Sequence, residues 1–371
     1  GEKRLILKSG LSGMVLTGIT RIMSFLYVVA IAKLFLPADI GTFYLIVSIM
    51  AIVNMFSDMG VASTLTRYLP FFEGKNEQKR MKKTIEIVSI FGISLATVLS
   101  IVLFLLAEPI AGFVGAPEAA DSLRLACPYL VLLEITLIGK GILNSKKKIY
   151  AAPVTDILII FAKLLVTVCL FYLLGGSTEV LVLGLLFSTL VGALYSSIKG
   201  INCVSKELSV EKEKFSLLGY VDFGKEIFAF GIVVSSLGIL GSLMGQVNQV
   251  MISGLAPGDA LTQVAVFAIA ISFGTLLKMF STGINRLLLP ISSGLYRKGK
   301  LERIRELADL ATRSSLIITL PPAIVFIVFS KELLSLFYGA AYISGGVVLA
   351  SFSMMVLIRI LTSSGRVVLS A

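Results

Sequence analysis

Long apolar runs, separated by short polar or glycine- and proline-containing stretches, recur along the whole chain. Most of them reach about 20 residues, the length a helix needs to cross ~30 Å of hydrocarbon. Because the short alternating segments of membrane β-strands are missing, we expect helices to satisfy the backbone hydrogen bonds. The pattern predicts ten transmembrane helices, at approximately 10–35, 41–69, 85–107, 124–144, 153–174, 179–200, 226–253, 262–290, 310–330 and 345–368.

The composition agrees with a chain that lies mostly in the membrane. The mean hydropathy is +0.95, with 56% hydrophobic and only 15% charged residues, which is too little polar surface to cover a soluble protein of this length. Histidine is absent, and the three cysteines form neither a CxxC nor a zinc pattern. The chain has none of the common hydrolase, nucleotide-binding or metalloprotease motifs, so we expect neither an enzyme nor a cofactor.

The loops between the predicted helices differ sharply in charge. One set, at 1–9, 75–83, 146–148, 199–225 and 297–305, carries 21 basic residues, whereas the alternate loops carry only Arg124 and Lys331. Because basic loops remain in the cytoplasm, this asymmetry predicts a cytoplasmic amino terminus in a multi-pass plasma-membrane protein. It also accounts for the net charge of +11 without a nucleic-acid partner.

Two halves of the chain resemble each other. A shift of 220 residues aligns Pro37 and Asp39 with Pro257 and Asp259, and Pro70 with Pro290. Six predicted helices separate the copies, so both copies have the same orientation and form a parallel repeat.

The repeat sets the predicted domain organisation. We predict an all-α polytopic protein of two six-helix lobes: an N-terminal lobe at 1–203, a cytoplasmic linker at 204–225, and a C-terminal lobe at 226–371 with four helices present. Because the second copy stops after its fourth helix, we expect the natural chain to continue for two or more helices.

The first two helices carry a recognisable motif. In TRIMSFLYVVAIAKLFLPADIGTFYLI, Arg21 lies inside the first helix, and Leu36, Pro37, Asp39 and Gly41 form a Leu-Pro-x-Asp-x-Gly turn before an aromatic-rich helix. This stretch, together with DMGVASTLTRYLP at 58–70, resembles the polysaccharide flippases of the multidrug/oligosaccharidyl-lipid/polysaccharide exporter superfamily. The resemblance implies two lobes facing each other, and alternating access that moves lipid-linked sugars across the cytoplasmic membrane.

Six charged residues lie near the middle of predicted helices: Arg21, Asp58, Glu134, Lys163, Lys278 and Arg359. Each costs at least about 2.5–3.5 kcal/mol in lipid, so we expect them to face a wet cavity instead. With four cations and two acids, that cavity would attract an anion, such as the phosphate or pyrophosphate of a polyprenyl-linked oligosaccharide.

The predicted anion-binding residues are therefore Arg21, Lys278, Lys163 and Arg359. For Arg21, two alternatives to substrate contact stay open: an ion pair with Asp58 and partial snorkelling. Lys278 is the stronger prediction, because its own half carries no acid at a similar depth, whereas the facing directions of Lys163 and Arg359 are not fixed by the sequence.

Asp58 and Glu134 allow two roles. They either bind H⁺ or Na⁺ and couple transport to an ion gradient, or form ion pairs with Arg21 or Lys140. The alternative function is a multidrug or organic-cation antiporter of the same superfamily, which would be expected to bury net negative charge. The expected partners are membrane lipids, the lipid-linked sugar and a coupling cation.

Overall fold

The computed structural model describes residues 2–146, 151–208, 224, 231, 241–296 and 301–361. In this part of the chain every regular element is helical, which confirms the all-α prediction. The helices are α1 (Glu2–Leu34), α2 (Pro37–Asp58), α3 (Val61–Gly74), α4 (Gln78–Leu105), α5 (Ala107–Phe113), α6 (Ala120–Ala126), α7 (Pro128–Ser145), α8 (Ala151–Leu174), α9 (Thr178–Leu208), α10 (241–255), α11 (Ala260–Tyr296), α12 (Leu301–Val328), α13 (Ser330–Tyr338) and α14 (Gly346–Leu361).

Eight segments of the described chain are long and apolar enough to cross a membrane. They are Val15–Leu34, Pro37–Gly74, Gln78–Leu105, Ala151–Leu174, Thr178–Ser205, Ala260–Met279, Arg305–Val328 and Ala340–Leu361. A ninth results if Pro117–Ala126 and Pro128–Ser145, which meet at 42°, form one broken span. These nine match nine of the ten predicted helices. Half of the remaining one, 226–253, lies outside the described residues, as does most of the predicted linker at 204–225.

The structure divides into two compact units. Unit 1 contains Gly1–Lys33 and Ala265–Ala371, and unit 2 contains Leu34–Val264. The lobe boundaries and the internal repeat inferred from the sequence remain predictions.

The Leu-Pro-x-Asp-x-Gly turn positions the start of α2 in unit 2. Pro37 occupies the first helical turn, where its missing N–H costs nothing. Asp39 Oδ1 accepts a hydrogen bond from Thr178 Oγ1 at 3.0 Å, which joins α2 to the start of α9. Gly41 is buried against the backbone of Leu261, whose carbonyl oxygen would overlap any Cβ at position 41. The motif therefore fixes a close helix contact.

Small residues bring the helices of unit 2 together. Gly139 of α7 packs against Ser196 of α9, and Gly192 of α9 packs against the side chain of Ile159 in α8. In lipid, where apolar surface gains little from association, such close backbone approach is a main source of helix–helix stability.

Unit 1 has an aromatic and aliphatic core. Leu277, Val356 and Ile360 are almost fully buried. Phe273 of α11 stacks on Phe25 of α1, with ring centroids 5.6 Å apart. These contacts hold α1, α11 and α14 in one unit and fix the positions of the charged residues that those helices carry.

Asp259 immediately precedes α11 and lies outside the membrane-spanning segment Ala260–Met279. Its Oδ1 accepts a hydrogen bond from the Thr262 backbone N–H at 3.1 Å, as expected of a helix N-cap. Hydrogen bonds from the side chain and the backbone of Thr262 lower the pKa of Asp259 below its usual value, so the carboxylate stays ionised at neutral pH.

Candidate functional site

Three of the four predicted anion-binding cations lie together in unit 1. Arg21 of α1 and Arg359 of α14 are both near enough to Lys278 of α11 to repel its ammonium group. Arg21 and Arg359 are exposed and Lys278 is partly buried. The spans that carry them, Val15–Leu34, Ala260–Met279 and Ala340–Leu361, contain no Asp or Glu. Three helices therefore bring like charges together at one place, which we call the cationic cluster.

Lys278 is seated on an aromatic ring. Its Nζ lies 4.7 Å from the centroid of Phe352, within the range of a cation–π interaction. Phe352 can approach because position 274 is glycine: a Cβ there would lie 2.5 Å from the ring. The cation–π contact therefore holds the Lys278 ammonium group against Phe352 of α14.

Lys163, the fourth predicted cation, belongs to unit 2. Its Nζ lies 4.9 Å from the centroid of Phe43, and its side chain is partly buried in α8. Lys163 is therefore not part of unit 1, the unit that contains the cationic cluster.

The two intramembrane acids come together in unit 2. Glu134 of α7 is fully buried, and the charge of Asp58 at the end of α2 acts on it directly. Ser57 Oγ donates a long hydrogen bond of 3.4 Å to Glu134 Oε2. Lys140, one of the alternative partners, instead forms an ion pair with Asp156 Oδ1 at 2.6 Å.

A break in the second span lies beside these acids. Met59 and Gly60 adopt left-handed backbone conformations, with φ of 32° and 80°, so α2 ends at Asp58 and α3 begins at Val61. The Asp58 carboxylate accepts hydrogen bonds from the backbone N–H groups of Ala62 and Val61 at the start of α3. The carboxylate thus stabilises a helix terminus that would otherwise leave donors unsatisfied inside the membrane.

Several oxygens around the break have no hydrogen-bond partner among the described residues. They are Asn54 Oδ1, Asp58 Oδ1, Thr64 Oγ1 and Glu134 Oε1. We call these four residues, with the break at Met59–Gly60, the oxygen cluster. Sequence reasoning found its two acids but missed Asn54 and Thr64. The signal was present, because Asn54 lies one helical turn before Asp58 and Gly60 follows two residues after it.

Among the residues that the structure describes, no group of three or more histidine, cysteine, aspartate or glutamate side chains is arranged to hold a metal ion.

Comparison with known proteins identifies the family. The model of a family described as polysaccharide biosynthesis protein matches residues 6–295. A comparison with curated proteins gave no match.

Solved structures reveal the fold. An inward-facing multidrug resistance MATE family transporter of the MOP superfamily has a TM-score of 0.71 at 15% identity, over 98% of this chain and 82% of that one. For the lipid II flippase MurJ in an inward closed conformation the TM-score is 0.65 at 16% identity, over 96% and 74%. For the Vibrio cholerae MATE transporter VcmN it is 0.60 at 17% identity, over 97% and 85%.

These findings confirm the resemblance inferred from Arg21 and the Leu-Pro-x-Asp-x-Gly turn. The chain is a multi-pass membrane protein that belongs to the polysaccharide biosynthesis protein family, with the fold of the MATE transporters and of MurJ.

Proposed function

We propose that this protein is a flippase that moves a lipid-linked oligosaccharide across the cytoplasmic membrane. In this proposal Arg21, Lys278 and Arg359 receive the phosphate or pyrophosphate of the lipid carrier. The observation that carries the proposal is the grouping of these three cations on spans that contain no acid. A family of polysaccharide biosynthesis proteins is the expected context for such a substrate.

The physical argument starts from the cost of the charges. Three cations at membrane depth repel one another, and Lys278 is partly buried, so the cluster is expensive unless an anion or water meets it. A pyrophosphate offers several acceptor oxygens, and charge-assisted bonds to guanidinium and ammonium groups are the strongest hydrogen bonds available there. The anionic head group therefore lowers the energy of the cluster when it binds.

Transport follows if the cluster becomes accessible from each side in turn. The polyprenyl tail stays in the bilayer while the phosphate and sugars pass along the protein. The basic-loop asymmetry predicts a cytoplasmic amino terminus, and the proposed transport carries the head group from the cytoplasmic side to the other side.

A second candidate function has one observation in its favour. The buried acids Asp58 and Glu134 in unit 2 would suit an organic cation, and several solved structures with this fold are multidrug transporters. An antiporter of that kind has no evident use for the cationic cluster of unit 1.

Equilibrium binding to the purified protein in detergent distinguishes the two. We expect a polyprenyl-pyrophosphate oligosaccharide to bind, and the matching neutral polyprenyl glycoside without phosphate to bind at least about 100-fold more weakly, because two or more charged hydrogen bonds are lost. Binding of a lipophilic organic cation without measurable binding of the pyrophosphate lipid would contradict the flippase and favour the antiporter.

A further inference from the structure

The helix α10 carries three side-chain amides within four residues. Gln246, Asn248 and Gln249 form the segment QVNQ, which lies inside the predicted membrane helix 226–253. We propose that Asn248, with the exposed side of α10 around it, binds hydroxyl groups of the oligosaccharide that the lipid carries. The inference rests on the proposed function, and it assigns the sugar to residues other than the cations that would hold the phosphate.

Gln249 has a structural role and shows which side of α10 is packed. Its Oε1 accepts a hydrogen bond from the hydroxyl group of Ser48 in α2, and Ser48 is fully buried. One turn farther along, Ser253 Oγ donates a hydrogen bond to the Val114 carbonyl oxygen at 2.8 Å. These two contacts join α10 to α2 and to the end of α5 within unit 2.

Asn248 belongs to a different side of the helix, and this side is exposed. Four more residues share it by helical spacing and are exposed as well: Gly241, Met244, Met251 and Leu255. Met244 is 77% exposed and Leu255 is 75% exposed, so neither is covered by another helix. We call these five residues the α10 face.

An amide on such a face is costly in lipid. Asn248 Nδ2 donates to the Met244 carbonyl oxygen of its own helix at 3.1 Å, and this is its one hydrogen bond to the described residues. A carboxamide has two N–H donors and an oxygen with two lone pairs, so most of its capacity is unused there. Because lipid tails offer neither donors nor acceptors, a wet passage suits this face better than the bilayer.

Sugars supply the partners that the α10 face lacks. A hydroxyl group both donates and accepts, so neighbouring hydroxyls of one sugar can meet both ends of the Asn248 amide. Met244 and Met251, one turn to either side, are flexible and polarisable, and they adapt to the apolar C–H surface of a sugar ring. Neither an amide nor a thioether carries the charge that strengthens a hydrogen bond to phosphate, so the face suits the uncharged part of the head group.

Open space lies beside the amide. A Cβ added at Gly241 or at Gly245 would meet nothing within 4 Å. Two glycines one turn apart commonly let a second helix approach closely, but no described atom lies that near to them. The two glycines therefore leave a groove along α10 that no side chain fills.

The predicted repeat gives a second argument. A shift of 220 residues aligns Gly241 with Arg21, the exposed cation of α1. The two copies would then present the same side of their first helix to the substrate, one with a charge for the phosphate and the other with an amide for the sugar.

The test compares two lipids in equilibrium binding to the purified protein in detergent. One is a polyprenyl-pyrophosphate oligosaccharide, and the other is the same polyprenyl pyrophosphate without sugar. We expect Asn248→Leu to weaken binding of the first lipid by about 10-fold, because sugar hydroxyls lose their partner, and to leave binding of the second unchanged. Asn202→Leu replaces an exposed asparagine of α9 and should bind both lipids as the wild type does.

Gly245→Val provides the second variant, because it fills the groove and keeps the amide. The added side chain projects into open space, so the melting temperature should stay close to that of the wild type. We expect weaker binding of the oligosaccharide lipid alone. Gly112→Val, which also replaces a glycine with nothing within 4 Å, should bind both lipids normally.

The two lipids also separate the possible failures. Equal affinity of wild type, Asn248→Leu and Gly245→Val for the oligosaccharide lipid would overturn the inference, as would an equal loss for both lipids in Asn248→Leu. If the wild type binds the two lipids equally well, the sugar has no site and this inference alone fails. If the wild type binds neither lipid, the flippase proposal fails and the inference falls with it.

Discussion

Replacing Arg21 and Lys278 together with alanine is expected to lower the affinity for a polyprenyl-pyrophosphate oligosaccharide by about 100-fold or more. Hydrogen bonds to a charged group contribute about 1.5–3 kcal/mol each, and about 1.4 kcal/mol corresponds to a factor of ten in affinity. Both residues contribute a charge to the same cluster, so their loss removes two cations from the region that would hold the phosphates. Equilibrium binding in detergent measures the effect.

Single variants and a control make this result specific. Arg21→Ala and Lys278→Ala should each weaken binding, with a combined effect that departs from the sum because the two charges also repel each other. Lys33→Ala removes an exposed cation from the end of the same helix as Arg21 and should leave affinity nearly unchanged. An equal loss of affinity in Lys33→Ala would mean that the lipid is attracted by the positive charge of the protein as a whole and not by the cationic cluster.

Replacing Gly139 with valine is expected to destabilise unit 2 by about 3 kcal/mol or more, toward the upper end of the range for overpacked positions. A Cβ at this position would lie 2.6–2.7 Å from Ser196, including its backbone carbonyl carbon, so α7 and α9 must move apart. Both helices also pack against other helices of the unit, which limits how far they can shift.

The melting temperature in detergent measures this effect, with Gly112→Val as the matched control. A Cβ at Gly112 meets nothing within 4 Å, so that variant should melt close to the wild type. Similar melting temperatures for Gly139→Val and wild type would show that the contact between α7 and α9 is not tightly packed.

Hydropathy predicted the membrane helices well because each span satisfies its backbone internally, so length and apolar content alone define it. The break at Met59–Gly60 was not predicted. The segment 41–69 is mostly apolar, and a hydropathy average over it does not register two residues with left-handed backbone.

For the candidate sites, the sequence likewise identified individual residues but not the contacts between helices that are distant in the chain. The sequence identified the six intramembrane charges, but the meeting of Asp58 with Glu134 depends on how α2 and α7 pack. Pairing of Glu134 with Lys140 was considered because both lie on α7. Lys140 lies six positions after Glu134, so its side chain points about 120° away around the helix, and it pairs with Asp156 of α8 instead.

Three of the four predicted anion-binding cations lie together in unit 1, and Lys163 belongs to unit 2. Helical periodicity within a single span could not reveal this, since almost every face of these helices is apolar. The contacts of Phe352 with Lys278 and Gly274 likewise join two helices that are distant in the chain, and no sequence pattern predicts them.

The most direct test of the central claim is transport in proteoliposomes that contain the purified protein and a polyprenyl-pyrophosphate oligosaccharide confined to one leaflet. Lectin access from the opposite side reports how fast the sugar crosses. The account predicts rapid crossing with wild type and crossing near the protein-free rate with the Arg21→Ala/Lys278→Ala variant. Wild-type vesicles that move a lipophilic organic cation, but leave the oligosaccharide in its original leaflet, would contradict it.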